Sequence, residues 1–208
     1  MCNILIVDDH PIIRLAMHML LEKEKYNVIG EASNGVTAIE LARKLSPDII
    51  ILDIGLPGLD GFEVIERLQL SDNKSKIIVL TGLSAEIYVG RCMRAGVAGF
   101  VSKDNNLTNL VGAIKAVQMG FSCFPNTGSA NTMNHNHANS SNAQELIDLL
   151  SNREITVLRY LARGVTNKEI ARDLLISSKT VSTYKMRLMQ KLNAKNIIEL
   201  SEFVARNF

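Results

Sequence analysis

Short runs of apolar residues alternate with longer amphipathic segments through the first 120 residues of the chain. Continuous apolarity, rather than alternation, is typical of strands buried on both faces of a parallel sheet. Five such strands joined by helices predict a doubly wound, flavodoxin-like α/β domain. The predicted strands lie at 4–7, 28–29, 49–52, 77–80 and 98–101, and the predicted helices at 11–24, 36–45, 61–70, 85–95 and 107–119.

The last third of the chain has only helical patterns. Two capping boxes precede apolar residues at helical spacing, and each predicts the first turn of a helix. Two further helices follow, so we expect a separate all-α domain of four helices. The capping boxes are Ser151 with Glu154 and Thr166 with Glu169; the third helix is predicted from Ser177 or Ser178 to about Leu192, and the fourth over about 197–205.

An uncharged segment of 17 residues, 126–142, separates the two patterned regions. Its small and polar side chains cannot build a core, which predicts a flexible linker. His135 and His137 lie in this segment, but two histidines without further ligands do not indicate a metal site. We therefore divide the chain into a domain at 1–120, a linker at 121–145 and a helical domain at 146–208.

The composition is that of two small globular domains. The chain has 208 residues, of which 47% are hydrophobic, enough for two cores. It has no run of 18 apolar residues, and its first ten residues turn acidic after a short apolar run, so we expect a cytoplasmic protein without a membrane partner. Three widely spaced cysteines indicate reduced thiols rather than disulfides or a zinc site.

Charge is divided unevenly between the two regions. Residues 1–120 carry 12 lysines and arginines against 14 aspartates and glutamates, whereas residues 143–208 carry 11 against 7. A basic excess attracts polyanions, although a few surplus basic residues are also common on any solvated surface. The charge favours a nucleic-acid partner for the second domain without establishing one.

Polar residues follow the predicted strands of the first domain. Asp8 and Asp9 come after the first strand, Asp53 after the third, Thr81 after the fourth and Lys103 after the fifth. Ligands of open α/β sheets bind at this carboxyl edge, and a strand order of 2-1-3-4-5 would bring the three carboxylates together. A cation such as Mg²⁺ would relieve their repulsion. Singly, each aspartate could simply cap a helix, but the combined set indicates phosphoryl transfer to an aspartate.

Four motifs at these positions resemble those of response-regulator receiver domains, over residues 3–120. The resemblance implies that a sensor histidine kinase or a phosphotransfer domain supplies the phosphoryl group. It also implies that the receiver assists its own phosphorylation and dephosphorylation. The motifs are VDDHP at 7–11, LDIGLPG at 52–58, LTG at 80–82 and FVSK at 100–103.

The resemblance implies a role for each residue of the site. The implied phosphoacceptor is Asp53 and the implied cofactor is Mg²⁺. The implied metal ligands are Asp8, Asp9, Asp53 and the backbone carbonyl of Gly55, and the implied phosphoryl-binding and switch residues are Thr81, Phe100 and Lys103.

Two positions depart from the usual receiver pattern. Asp104 follows Lys103 where many receivers have proline, which leaves the shape of that loop open. Phe100 stands where tyrosine is usual, which removes a phenol hydrogen bond from the switch. On phosphorylation we expect Thr81 to move towards the phosphoryl oxygens and Phe100 to turn inward, with dimerisation as the result.

The third helix of the second domain has one apolar and one polar face. Val181, Tyr184, Leu188 and Leu192 recur at helical spacing and are expected to pack. A plain bundle helix with a solvated basic face would show the same pattern. A helix-turn-helix motif places such a helix in the major groove, where short polar side chains contact base edges and basic ones contact phosphates.

Residues 148–206 resemble the LuxR-type helix-turn-helix of NarL/FixJ regulators. The motifs are LSNRE at 150–154, GVTNKEIA at 164–171 and ISSKTVSTY at 176–184, and the segments 121–125 and 180–185 further resemble a subgroup of virulence and acid-resistance regulators. Ser182 and Tyr184 stand where lysine and histidine are frequent, so no operator sequence carries over.

The implied partners of the second domain are promoter DNA, a second copy of the chain on phosphorylation, and RNA polymerase. We expect Ser182 and Thr183 to contact base edges, and Lys179 and Arg187 to contact the DNA backbone. The candidates for DNA contact are Lys179, Thr180, Ser182, Thr183, Lys185, Met186 and Arg187, and those for dimerisation are Ile197, Ile198, Leu200, Ser201 and Val204.

Two other functions are weighed against a phosphorylation-dependent, DNA-binding transcription regulator. A phosphohydrolase of the haloacid-dehalogenase type needs an Asp-x-Asp motif, but Ile54 and Gly55 follow Asp53, and no P-loop or dinucleotide motif occurs. A signalling adaptor whose tail binds protein or RNA is left open by the sequence. The salt dependence of binding and competition between duplex DNA and RNA discriminate it from the regulator.

Overall fold

Five parallel strands form the central sheet of the first of two compact units, which are Met1–Ser129 and Ala130–Phe208. The computed structural model describes residues 2–71, 73–104, 107–126, 143 and 145–208. For Thr108 it describes the backbone and not the side chain. Residues 127–142 of the predicted linker, with His135 and His137, lie outside the described residues. No described helix is long and apolar enough to cross a membrane.

The strands follow the order β2-β1-β3-β4-β5, and every neighbouring pair is parallel. This confirms the predicted doubly wound sheet and the order on which the acidic cluster depends. β1 and β3 are neighbours, with Val7 paired to Leu52, so Asp8 and Asp53 lie side by side at the next position of each strand. The strands are β1 (Asn3–Val7), β2 (Asn27–Ala32), β3 (Ile49–Leu52), β4 (Lys76–Thr81) and β5 (Gly99–Ser102).

Helices pack on the sheet and bury its strands. Successive residues of β3, such as Ile50 and Ile51, point to opposite faces and are equally buried, as the continuous apolar runs predict for a sheet covered on both faces. Ile51 belongs to the core that Met17 and Ile114 of two helices form with the sheet. The helices of this unit are α1 (Pro11–Lys23), α2 (Gly35–Leu45), α3 (Gly61–Leu70), α4 (Ala85–Arg94) and α5 (Thr108–Gln118).

The start of α3 fixes the loop that follows β3 and Asp53. Asp60 and Glu63 form a capping box that satisfies two free N–H groups at the helix start. Gly61 begins the helix so close to the loop that a Cβ there would lie 2.4 Å from Cα of Ile54. No side chain fits in that space, so the loop after Asp53 is held against α3.

β2 extends beyond its short apolar signal, from Asn27 to Ala32. It is an edge strand, and most of its residues are half-buried or exposed. An edge strand needs no continuous apolar run, which is why the sequence indicates only 28–29.

The backbone just after α5 is attached to the other edge of the sheet. Cys123 forms an isolated parallel bridge with Gly99, its N–H donates to the carbonyl of Ala98, and its carbonyl accepts from the N–H of Phe100. Residues 121–123, which the sequence analysis assigns to the linker, therefore include backbone bonded to the first unit.

The second unit is helical, as predicted. Both capping boxes are present, at Ser151 with Glu154 and at Thr166 with Glu169. The core of this unit includes the fully buried Leu158, Ile170, Val181, Leu188 and Leu200. Residues 145–148 are helical as well, and the helices that follow them are α6 (Asn152–Ala162), α7 (Asn167–Asp173), α8 (Ser178–Lys191) and α9 (Ile197–Asn207).

Candidate functional site

Three charged side chains meet at the carboxyl edge of the sheet. Asp8 is 1% exposed and Asp53 is 5% exposed, because each follows a buried strand. The Lys103 ammonium nitrogen lies 2.7 Å from Oδ2 of Asp8 and 2.5 Å from Oδ2 of Asp53. The structure thus brings together the site residues that were predicted after the first, third and fifth strands.

Electrostatics keep Lys103 charged in this position. Burial opposes its positive charge, but the nearby carboxylates of Asp53 and Asp8 outweigh that effect and raise the pKa of Lys103. One ammonium between two buried carboxylates, with Asp9 adjacent, leaves an excess of negative charge at the site. Such an excess favours a further cation.

The donor set fits a hard metal ion. Asp8, Asp9, His10 and Asp53 each offer one ligand atom, and these atoms lie within 4.8 Å of one another. Oδ2 of Asp8 and Oδ1 of Asp9 are buried, and their nearest polar neighbours are the Lys103 ammonium at 2.7 Å and Nδ1 of His10 at 2.9 Å. Carboxylate oxygens of this kind are the protein ligands that Mg²⁺ prefers.

His10 is a site residue that the sequence analysis missed. Its Nδ1 lies 2.9 Å from Oδ1 of Asp9 and 3.3 Å from Oδ1 of Asp8. Its only sequence signal is its position directly after the aspartate pair. Gly55 lies beside the same cluster, where its N–H donates to Oδ1 of Asp53 at 2.8 Å. The role of the Gly55 carbonyl as a metal ligand stays a prediction.

Thr81 and Phe100 are both buried. Thr81 ends β4, next to β3, and its carbonyl accepts from the N–H of Lys103 at 2.8 Å, which joins the ends of β4 and β5. Phe100 is only 2% exposed. An inward turn of Phe100 on phosphorylation would therefore be a change between buried positions, without a large change in its exposure.

Ser102 and Asp104 form a local pair on either side of Lys103. Asp104 donates its N–H to Oγ of Ser102, and the Ser102 hydroxyl donates to Oδ2 of Asp104 at 3.3 Å. This local pair provides a turn in place of the fixed backbone of proline.

α8 has the two faces that the sequence predicts. Val181 and Leu188 are fully buried and Leu192 is nearly so, whereas Tyr184 is only half-buried. Ser177 caps the helix by accepting from the N–H of Thr180. Of the candidates for DNA contact, Lys179, Ser182, Met186 and Arg187 are exposed, and Thr180, Thr183 and Lys185 are half-buried.

An ion pair between a buried carboxylate and an exposed ammonium connects the start of α6 to the end of α8. Glu154 is 2% exposed, and its Oε2 accepts from the Lys191 ammonium and from the N–H of Ser151, each at 2.7 Å. Burial of this carboxyl opposes its charge, but Lys191 and Ser151 outweigh burial and lower the pKa of Glu154. The capping box gives a sequence signal for Glu154, while its pairing with Lys191 depends on the tertiary fold.

One dimerisation candidate is corrected by the structure. Leu200 is fully buried, because α9 lies against α6 and this side chain enters the core of the unit. It therefore presents no surface to a partner. Ile198 is 65% exposed, and Ile197, Ser201 and Val204 are half-buried.

Two family models match the chain. The response regulator receiver domain matches residues 4–115, and the bacterial regulatory proteins of the luxR family match residues 148–204. The chain belongs to the LuxR-type response regulators. It is a DNA-binding transcription regulator with a receiver domain, and the expected family is confirmed while the phosphohydrolase alternative is excluded.

Similar proteins extend over the whole response regulator. The chain is 47% identical over 205 residues to BvgA, a positive transcription regulator of virulence factors in Bordetella pertussis. The aligned region covers 99% of this chain and 97% of BvgA. The chain is 37% identical over 205 residues to the DNA-binding transcriptional activator EvgA of Escherichia coli K12, covering 99% and 98%. These relatives confirm the expected subgroup.

Solved structures of the response regulator RcsB have the same fold. One from Salmonella typhimurium has a TM-score of 0.73 and 31% identity, covering 99% of this chain and 98% of that one. A second, bound to the promoter rprA, has a TM-score of 0.68 and 30% identity, covering 99% of each chain.

Proposed function

We propose that the first unit accepts a phosphoryl group on Asp53 and that this modification controls promoter binding by the second unit. The observation that carries the proposal is the placement of Lys103 between the buried carboxylates of Asp53 and Asp8. A buried aspartate beside a fixed cation and a hydroxyl at the next strand has the donors and the nucleophile that phosphoryl transfer needs.

The side chains at the site have separate tasks in this reaction. The Gly55 N–H holds Oδ1 of Asp53. A carboxylate oxygen of Asp53 forms the new bond to phosphorus, while the bond between phosphorus and the leaving atom of the donor breaks. Lys103 and the Thr81 hydroxyl then donate to the phosphoryl oxygens. The same donors assist hydrolysis of the acyl phosphate, so the receiver promotes its own dephosphorylation.

Mg²⁺ is the proposed cofactor, held by Asp8, Asp9, Asp53 and the Gly55 carbonyl, with His10 as an added neighbour. When bound, it supplies positive charge that offsets the carboxylates and the transferred phosphoryl oxygens. The clustering of carboxylate oxygens of Asp8, Asp9 and Asp53 within 4.8 Å of one another supports this assignment.

The test is intact-mass analysis after incubation with acetyl phosphate and Mg²⁺. We expect the full-length chain to gain one phosphoryl group, and Asp53→Asn to gain none. Glu40→Gln is the control, because this exposed carboxylate lies in α2, outside the cluster of Asp8, Asp53 and Lys103, and should not affect labelling. Unchanged labelling of Asp53→Asn would overturn the assignment.

For the output, we propose that α8 enters the major groove of promoter DNA. The RcsB structure bound to the promoter rprA, and a structure of two RcsB dimers bound to parallel DNAs with a TM-score of 0.57 and 31% identity, support this proposal and a dimeric form. Ile198, with Ile197, Ser201 and Val204, is the proposed dimer surface on α9, which phosphorylation brings into use.

The remaining assignments follow from the family. We propose a sensor histidine kinase or a phosphotransfer domain as the phosphoryl donor, RNA polymerase as a partner at the promoter, and a cytoplasmic location. We propose domains at 1–120 and 146–208 with a linker at 121–145. The hydrogen bonds of Cys123 support placing the free part of the linker after residue 123.

A further inference from the structure

An exposed methionine lies in the middle of the polar face of α8. Met186 is 57% exposed. Residues three, four and seven positions away in an α-helix lie on the same side, so Met186 shares its face with Lys179, Ser182, Thr183 and Gln190. This stripe is basic at one end, polar along its length and apolar at its centre.

The hydroxyl hydrogens of the two residues beside Met186 are already used. The Ser182 hydroxyl donates to the carbonyl of Ser178 at 3.0 Å and accepts from the Asn167 amide at 3.2 Å. The Thr183 hydroxyl donates to the carbonyl of Lys179 at 3.1 Å. Each oxygen can therefore only accept a hydrogen bond from an outside ligand.

We infer that Met186 makes α8 select A·T base pairs through the C5 methyl group of thymine. The inference rests on the proposed binding of α8 in the major groove. There an A·T pair presents the apolar methyl group of thymine and the donor amino group of adenine, which match an apolar side chain beside hydroxyl acceptors. A guanine edge presents two acceptors and requires donors that the centre of this stripe lacks.

The size of the effect follows from the methyl group alone. Removing one methyl group from a buried apolar contact lowers affinity about fourfold, equivalent to about 0.8 kcal/mol. Replacing thymine by deoxyuridine removes this group and leaves the base pairing and the phosphates unchanged. Its effect therefore separates apolar readout from the salt-dependent attraction of basic residues.

The experiment uses the full-length chain treated with acetyl phosphate and Mg²⁺. Duplexes are first selected from a randomised library, and affinities are then measured at constant salt after single thymine-to-deoxyuridine replacements. We expect at least one replacement in each half-site to lower wild-type affinity about fourfold. Met186→Ala should bind the thymine duplex and its deoxyuridine counterpart with equal affinity. Met93→Ala removes an exposed methionine of the first unit and should lose affinity on the replacement as the wild type does.

Two results would overturn the inference while DNA binding is retained. In the first, each deoxyuridine replacement changes the affinity of the wild type and of Met186→Ala by the same factor. In the second, the duplexes selected by Met186→Ala differ from those selected by the wild type only at G·C pairs. A chain that binds selected and random duplexes with equal affinity would instead overturn the proposed promoter binding, and the inference with it.

Discussion

Leu175 occupies the turn between α7 and α8 with a φ of +54° and a side chain that is 80% exposed. This left-handed conformation costs an L-residue with a Cβ roughly 1–2 kcal/mol, whereas asparagine tolerates it better. Since little apolar surface is buried, the strain is not offset by packing. The sequence motif shows a turn here but not its conformation.

We expect Leu175→Asn to stabilise the second unit by about 0.5–1 kcal/mol. The measurement is urea unfolding followed by circular dichroism. Leu70→Asn is the control, because Leu70 is equally exposed at 82% but lies in α3 with helical backbone. Equal changes in both variants would show that solubility, and not backbone strain, is responsible.

Burial should make one of the three cysteines inert. Cys92 is fully buried, and burial raises the pKa of its thiol to about 12. Because the thiolate is the reactive form, we expect alkylation of the native chain at neutral pH to modify the half-buried Cys123 well before Cys92. Peptide mass spectrometry reads the two rates, and in urea they should become similar. Equal rates in the native chain would contradict the prediction.

At the scale of elements, the ion pair between Glu154 and Lys191 fixes the end of α8 against the start of α6. We expect Glu154→Gln to destabilise the second unit at pH 7 by about 0.5–1.5 kcal/mol, because a neutral amide weakens the hydrogen bonds to Ser151 and Lys191, while the exposed Lys191 ammonium stays hydrated. Glu202→Gln, which changes an exposed pair with Arg206, is the control and should cost far less.

The pH dependence of this pair has a definite sign. The folded-state pKa of Glu154 is lowered, so its contribution is present above the unfolded pKa of about 4.5 and is lost as pH falls through the folded value. The difference between wild type and Glu154→Gln should therefore shrink in urea unfolding at acidic pH. A constant difference from neutral to acidic pH would show that packing, and not charge, dominates.

Elements with local signals could be predicted from the sequence, and long-range contacts could not. The buried run of β3 and the capping boxes of α6 and α7 carry their own patterns. β2 was underestimated because an edge strand needs no continuous apolar run. Leu200 was misassigned because α9 has both buried and exposed apolar residues, such as Leu200 and Ile198. Their spacing in the sequence does not show which of them pack in the core.

At the scale of the whole molecule, the strand order explains why the grouping of Asp8, Asp53 and Lys103 was predictable. Five residues at or just after the ends of four strands fall at one edge of a parallel sheet, whatever the details of packing. His10 and the pairing of Lys191 escaped prediction because neither the type of residue nor its spacing distinguishes them from surface residues. The buried and exposed faces of α8 were predicted from the spacing of its apolar residues. The hydrogen bonds from the Ser182 and Thr183 hydroxyls to backbone carbonyls could be found only in the structure.

The basic excess of the second unit should appear in the salt dependence of DNA binding. Each phosphate contact contributes about −0.9 to the slope of log K against log salt concentration. We expect Lys179→Ala to make this slope shallower by about one and to weaken selected and random duplexes alike. Thr183→Ala should keep the slope and lose about 1–3 kcal/mol on the selected duplex only. The reverse pattern, measured by gel shift, would show that α8 is turned differently.

The bridge between Gly99 and Cys123 ties the exit of the chain to the strand that carries Phe100. The N–H of Phe100 donates to the carbonyl of Cys123, and the N–H of Cys123 donates to the carbonyl of Ala98. If β5 shifts, either Cys123 moves with it or both of these hydrogen bonds break. The edge of the sheet thus transmits any movement of β5 to the backbone at Cys123, close to residue 126, where the described part of this unit ends.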